Sequence, residues 1–595
     1  MSTLLRILFI AVWLFAFGHT NSARADWINL TGAETAPNIA EITVLDDRVR
    51  VVLEIYVGNL ATFEALVPDN LLNKPAADRP SLADRLKAFS DKTFQVVTND
   101  GTKLQAGLKL AEPRLRKNRA SPFAGMINPM TRQRVPGAPK DKRVLYVELE
   151  YPFSGKPESL TFIPPQDDKG IAKVSIGFIA YHKAVPIIDF RYLSGAAKVA
   201  LDWADPWYTK FDNPNLKRHH KSAMMSFLYI EPREVRHEAL VRVRDLQEWT
   251  DLGLKGATTI TADKKAQVKD RARAFFTTRN PLKVDKIAAK PVSSRAEFLK
   301  ISLTGLQVIE DEKPIDLSTA ILGVILSYPV KHLPKHVAVR WELFNERIKR
   351  IPATATDPAG PLLSFVQPSD PILEWQNHLL KYQEPKVSPV VLDDGRSIPI
   401  PLLSVVLLVL AFGAALLALS PKLLSRRNWA VVSALSVIAA IILFRLAIFE
   451  LRNPFAGPPD EQASAQIVTR VLSNVNHAFI EKDEAALRKA LGVIVAKQQL
   501  AQVESELRRA LAIKVAGGGI AQVKAIENLT VKEIAALEDT SGFRTVAQWT
   551  AKASAGHWGH AHRRTIRFRA HIEVVKVEGA WKLSGITIVD AKRVN

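Results

Sequence analysis

IPLLSVVLLVLAFGAALLAL, residues 400–419, is a run of 20 residues without a charge. As an α-helix it rises about 30 Å, the thickness of a bilayer's hydrocarbon core. Residues 430–449, AVVSALSVIAAIILFRLAIF, supply a second such run, broken only by Arg445. The connection holds Lys422, Arg426 and Arg427 and no acid. The positive-inside rule therefore places it in the cytoplasm and sends both flanks to the exported side. The expectation is a transmembrane helical hairpin over 399–450, with spans at about 400–419 and 430–449. Small residues at Ala411, Ala415, Ser436 and Ala440 would let the helices approach closely. Arg445, about 24 Å beyond the interfacial Trp429, can snorkel to the outer boundary.

The start of the chain leads to the same side of the membrane. One arginine, the apolar run Ile7–Phe17 and Ala23-Arg24-Ala25 before Asp26 have the order of a secretory signal peptide, expected over 1–25. The chain has 595 residues, enough for several cores. It has 0 cysteines, which removes disulfides, thiol nucleophiles, thiolate zinc sites and iron–sulfur clusters. The expected location is the bacterial cytoplasmic (inner) membrane, with both large soluble regions on the periplasmic side. Export also sets nucleic acid aside as a partner, despite a net charge of +21.

Period-2 alternation fills the region before the membrane. Val49, Val51, Leu53, Ile55 and Val57 alternate with mostly polar neighbours, and the pattern returns at Leu145, Val147, Leu149 and Tyr151 and at Ala239, Val241 and Val243. These predict an antiparallel, sandwich-like β domain over 26–255. A charged helical stretch, ADKKAQVKDRARAFFTT, opens a second, smaller β-rich domain at 262–384, where Val337, Val339, Trp341 and Leu343 alternate. A proline-rich linker, 385–398, then leads to the membrane as an extended spacer.

After the membrane and a second linker at 451–462, the pattern changes. Ile467, Val471, Val475 and Phe479 recur at helical spacing, and Asp483 is placed to cap a second helix running toward the glycines at 517–519. Strand alternation follows at Phe543, Thr545, Ala547 and Trp549, and at Ile566, Phe568, Ala570, Ile572 and Val574. Residues 463–595 are thus expected to be an α+β domain with helices packed on a curved antiparallel sheet. With the closing GAWKLSGITIVD, residues 579–590, this order resembles the nuclear-transport-factor-2-like or cystatin-like cone domains over about 461–595. The resemblance implies a cone fold that hosts enzymes, ligand carriers and adaptors alike, and carries over no catalytic residue.

Three stretches invite a chemical reading. GHWGHAHRR, residues 556–564, puts His560 and His562 in phase with Ile566 and Phe568, on the face that lines a cone's interior. With His557 they could hold a divalent metal such as zinc, line a ligand pocket, or form a structural cluster bonded to backbone at a glycine bulge. LDWADPWYTKFDNP, residues 201–214, sets Asp202, Asp205 and Asp212 among Trp203 and Trp207, and could bind a sugar, a cation or calcium, or pin a loop. Residues 114–143 hold Arg114, Arg116, Lys117, Arg119, Arg132 and Arg134 among nine Lys or Arg, against the single acid Asp141. With four prolines there, a long exposed loop is expected, either solvated or docked on anionic lipid or an acidic partner.

No serine elbow, P-loop, dinucleotide fingerprint or zincin helix occurs. The sequence favours a non-enzymatic, membrane-anchored binding or scaffold protein of the envelope with a protein partner. The alternative is a metal- or pocket-dependent enzyme acting through the C-terminal domain.

Overall fold

The computed structural model describes residues 31–71, 79–119, 121, 123–129, 131–218, 220–302, 305–310, 312–392, 397–419, 426–444, 448–452, 457–511, 522–538 and 541–594. The expected signal peptide, Arg445 and the glycines at 517–519 lie outside them. The chain is multidomain and β-rich.

In the N-terminal unit, the alternation of Arg48–Tyr56 buries Val49, Val51, Leu53 and Ile55. This strand pairs on one side with Arg143–Pro152 and on the other with Asn38–Val44. The sheet has seven strands, with Gly107–Leu115 at one edge. A four-stranded sheet containing Ser159–Ile163 and Gln95–Thr98 shares its core, through Phe94, Val96, Leu160 and Phe162. The sandwich is not wholly antiparallel as expected, because Asn38–Val44 runs parallel to Ile176–His182. Alternation identifies a strand without giving its direction.

The unit also ends earlier than expected. Met224–Glu231 and Glu234–Arg242, assigned from sequence to the first domain, are central strands of a second seven-stranded sheet with Ile321–Pro329, Ser293–Ser302 and Ile351–Asp357. Their near-continuous burial is that of strands covered on both faces. Val243 is not in a strand but opens the short helix Val243–Leu246. The charged helix Ala262–Thr278 packs Val268, Ala272 and Phe276 into this core, together with Trp341 and Trp375.

Leu402–Leu419 and Arg426–Ile442 are helices lying antiparallel, with Ser404 Oγ donating to the Ala440 carbonyl at 2.8 Å and Ser433 Oγ to the Ala411 carbonyl at 2.9 Å. Ala411, Ala414 and Ala440 are buried between them while Phe412 and Ile441 face outward. Ala414 takes the place expected of Ala415, which is exposed. Leu402–Leu419 is by itself long and apolar enough to cross a membrane, whereas the apolar part of the second helix, Arg427–Ile442, is shorter. Their flanks Ser397–Pro401 and Ile448–Arg452 pair antiparallel.

In the C-terminal unit, helices Glu461–Ala478, Glu484–Ile494 and Leu500–Leu511 lie against a meander of Gln522–Ala536, Phe543–His557, His560–Val577 and Ala580–Val594. Asp460 and Asp483 cap the first two helices by accepting from the Ala463 and Ala486 amides. The single long helix expected after Asp483 is broken at Val495, where the Ala496 amide bonds the Leu583 carbonyl at 2.9 Å. The segment before the apolar helices is not a free spacer. The Trp581 amide donates to the Val390 carbonyl at 2.8 Å, and Asn474 bonds Ser388 in both directions. Val390 is part of the C-terminal core, because the apolar residues of VSPVVL have an open flank to cover.

Candidate functional site: a tryptophan-tipped joint

The strands Phe543–His557 and His560–Val577 pair without a register shift from Phe543 opposite Val574 to His557 opposite His560. No bulge occurs at Gly559. The two strands close in a two-residue turn with positive φ at both Trp558 (51°) and Gly559 (79°). Such primed turns match the twist of a hairpin, and glycine suits the second position. A tryptophan in the left-handed region is strained, by about 1–3 kcal/mol, and persists only where its surroundings hold it.

Those surroundings belong to another domain. Trp558 is 1% exposed and lies among Phe227, Tyr229, Leu240, Ile321 and Ile325 of the second seven-stranded sheet. Its ring lies over Gly323, where an added Cβ would come within 2.4 Å. The same closeness holds at Gly556 against Tyr229 and at Gly559 against Phe227. The tip's backbone is matched as well. The Trp558 amide donates to Glu238 Oε2 at 2.5 Å, the Gly559 amide donates to the Tyr229 hydroxyl at 3.0 Å, and the Arg236 guanidinium donates to the Gly556 carbonyl.

Arg236 also pairs with Glu238 at 2.7 Å and lies over the Tyr229 ring. Burial pushes the Glu238 carboxyl up, against the opposing pull of Arg236 and the Trp558 amide, and pushes the Tyr229 phenol well up. A second contact lies beside the tip. Arg233 bridges Glu481 at 2.7 Å and Glu384 at 3.0 Å, and Lys482 reaches Glu234 at 3.2 Å.

Of the three candidate histidines, only His557 has a described side chain. His557 is 2% exposed, on the face shared by Ala551 and Ala553, with its ring edge-on to Trp558. His560 and His562 are placed by their backbone pairing only, since their side chains lie outside the described residues. Among the described residues, no group of three His, Asp or Glu is arranged to hold a metal. The space between the C-terminal helices and sheet is also small. The space between Leu472, Leu507, Trp549 and Ile586 is about 10 Å³, against roughly 300–1,000 Å³ for ligand pockets.

Of the acids of 201–214, Asp205 forms a joint of its own, while Asp212 stays exposed. Asp205 accepts both Arg242 Nη atoms at 2.7 Å, and Asp245 takes Arg242 at 3.2 Å. Burial raises the Asp205 carboxyl, but Arg242's hydrogen bonds and charge outweigh it and hold the group below its usual range. Asp245 is pushed up by burial. Trp207 lies buried with Arg218 4.0 Å and Arg242 4.9 Å from its ring center. Trp203 donates to the Pro157 carbonyl at 2.9 Å, and Asp202 accepts from the Asp205 amide at 2.8 Å. Asp202, Asp205, Trp203 and Trp207 are thus committed to internal partners, and the sugar or calcium reading is replaced by a link between the first two domains.

The basic segment is likewise not one exposed loop. Arg114 ends the edge strand Gly107–Leu115, which tolerates Pro113 because one side of an edge needs no amide. Its guanidinium stacks on Tyr146 at 3.9 Å. Arg116 is buried and donates to the Ala36 carbonyl, while Arg119 joins Glu54 at 2.6 Å and Glu41 at 2.7 Å. Lys117, Arg132 and Arg134 remain at the surface.

Sequence reasoning missed Arg236, Glu238, Arg242, Tyr229 and Gly323. The available signal was EVRHEALVR, residues 234–242, whose charges are set into a strand otherwise apolar enough to be central. Such charges must be paired when buried. Ser226 Oγ lies 3.0 Å from His237 Nε2 there, but both are sealed in the core and burial pushes the imidazole down to about 4. A substrate cannot reach that pair.

No family model matches this chain, and no curated protein matches it. Among solved structures, the crystal structure of the intermembrane space region of chloroplast protein ARC6 overlaps 21% of this chain and 95% of its own length, at 11% identity and a TM-score of 0.16. A likeness at that level carries no argument about this chain.

Proposed function

We propose that this chain is a non-enzymatic binding or scaffold protein of the bacterial envelope, anchored in the cytoplasmic membrane by the helical hairpin, with both soluble regions on the periplasmic side. One observation carries the reading. The regions before and after the apolar helices dock on each other through Trp558, Arg233 and Val390. Partners in such a joint share one side of a bilayer, so the chain between them crosses an even number of times. Two crossings fit a pair of apolar helices whose connection carries Lys422, Arg426 and Arg427. The paired flanks Ser397–Pro401 and Ile448–Arg452 would then stand together at the outer surface. The small space between the C-terminal helices and sheet, and the internal partners of Asp202 and Asp205, support binding at surfaces over catalysis in a pocket. The resemblance to nuclear-transport-factor-2-like domains is compatible with such an adaptor role.

The absence of native cysteine makes the topology directly testable. Ser154→Cys and Ser505→Cys, both at exposed positions, should react with an impermeant maleimide in spheroplasts. Ser425→Cys, between the helices, should react only after permeabilisation. Labelling of Ser154→Cys but not Ser505→Cys in intact spheroplasts would contradict the reading.

A further inference from the structure

The C-terminal sheet has its helices on one face only. Phe568, Ala570, Ile572 and Val574 point toward them and are buried, so Arg563, Arg567 and Arg569 alternate onto the opposite, exposed face. Arg544, Gln548, Thr550 and Lys552 of the neighbouring strand share that face, opposite Glu573, Arg569, Arg567 and Thr565. Of the acids here, Glu527 is taken by Lys552 at 2.8 Å and Asp590 by Lys592 at 3.1 Å. No ion pair among the described residues engages Arg544, Arg563, Arg567 or Arg569. Arg567 stands across from Lys592 and Arg569 across from Asp590, whose charge Lys592 already takes.

We propose that this outer face is a docking surface for an acidic, extended segment of a partner protein. Arg563, Arg567 and Arg569 are spaced about 13 Å and 7 Å apart along one strand, and each guanidinium can grip a carboxylate with two parallel hydrogen bonds. Gln548 and Thr550 add neutral donors between them. The position argues against lipid headgroups as the occupant. The strand runs from Arg563 to Val577 for roughly 45 Å at about 3.3 Å per residue. Its far end adjoins Trp581, which binds the Val390 and Leu392 carbonyls just before the apolar helices. The arginine stripe lies at the opposite end, next to the tip docked in the second sheet. The proposal rests on the chain being a binding protein, and the case against lipid also rests on the apolar helices lying in the membrane.

The test uses the full chain in detergent and a fluorescein-labelled decaglutamate peptide at physiological salt, read by anisotropy. The wild type should bind, and binding should weaken as salt rises. Arg563→Gln/Arg567→Gln/Arg569→Gln should lose roughly tenfold or more in affinity, with thermal unfolding unchanged because no ion pair is broken. The control Arg132→Gln/Arg134→Gln removes surface charge elsewhere and should bind as the wild type does. Equal loss in the control, equal affinity in the triple variant, or no wild-type binding would each overturn the proposal. So would a wild-type preference for phosphatidylglycerol nanodiscs over the peptide. If the triple variant unfolds, Arg567→Gln alone decides, with a smaller loss expected. Spheroplast labelling can fail without touching this result, and the reverse also holds.

Discussion

The N-terminal unit meets the second seven-stranded sheet through charge, with Arg242 gripping Asp205 and Asp245 beside the Trp207 ring. The C-terminal unit meets the same sheet through shape, with Trp558 over Gly323 and the turn's amides on Glu238 and Tyr229. Val185 and Trp207 from the first unit and Trp558 from the last belong to one apolar cluster on that sheet. The first joint depends on complementary side chains and the second on the absence of side chains at Gly323, Gly556 and Gly559. They should therefore fail under different substitutions.

The largest effect is expected at the charged joint. Arg242→Met leaves buried Asp245 without its cation and Asp205 with Arg244 alone, 3.5 Å away, at a cost of about 3–5 kcal/mol. Thermal unfolding of the purified chain should show it, with first-domain fragments released early by protease. At the shape-based joint, Trp558→Ala should cost about 3 kcal/mol through the cavity left behind. Trp558→Gly should be the milder change by roughly 1 kcal/mol despite removing as much ring, because glycine accepts the positive φ that alanine resists. Were Trp558→Gly the worse variant, the turn would not be strained as described.

Much of this architecture was readable from periodicity. The strand over 48–56, the helix over 262–278, the cap at Asp483 and the inward phase of Phe568 to Val574 all follow from local pattern. What periodicity lacks is partnership. Met224–Arg242 has the same alternation whichever sheet it joins, so the domain boundary was misplaced. The histidines drew attention at 556–564, yet the residue that reaches furthest is the tryptophan between them, and its socket is built from strands about 235–330 residues earlier in sequence. Arg116 and Arg119 read as exposed charge because their partners Ala36, Glu41 and Glu54 lie 65–80 residues earlier in sequence.

Acid should weaken both joints. Asp205 has its carboxyl held below the ordinary 3.8, so its contribution is present above that value and is lost as pH falls through the depressed one. Asp245, pushed up, shifts the opposite way and softens the change. At the tryptophan joint Glu238 is raised, but Glu234 and Glu384 in the ion pairs beside the tip are held low, so protonation weakens that joint as well. Proteolysis should cut at both joints as pH falls through the carboxylate range, since each contains carboxyls held below their usual values. The smallest effect is expected at Arg134→Gln, whose side chain donates only to the Gly125 carbonyl at the surface. Its stability should stay within about 0.5 kcal/mol of the wild type.

Docking of the two soluble regions across the apolar helices is the claim on which topology and function both depend. A benzophenone-bearing phenylalanine in place of Trp558, irradiated in intact cells, probes it at the point of contact. An intramolecular adduct to the peptides carrying Phe227 or Gly323 is the predicted product. An adduct to a different protein, or none within this chain, would contradict the account.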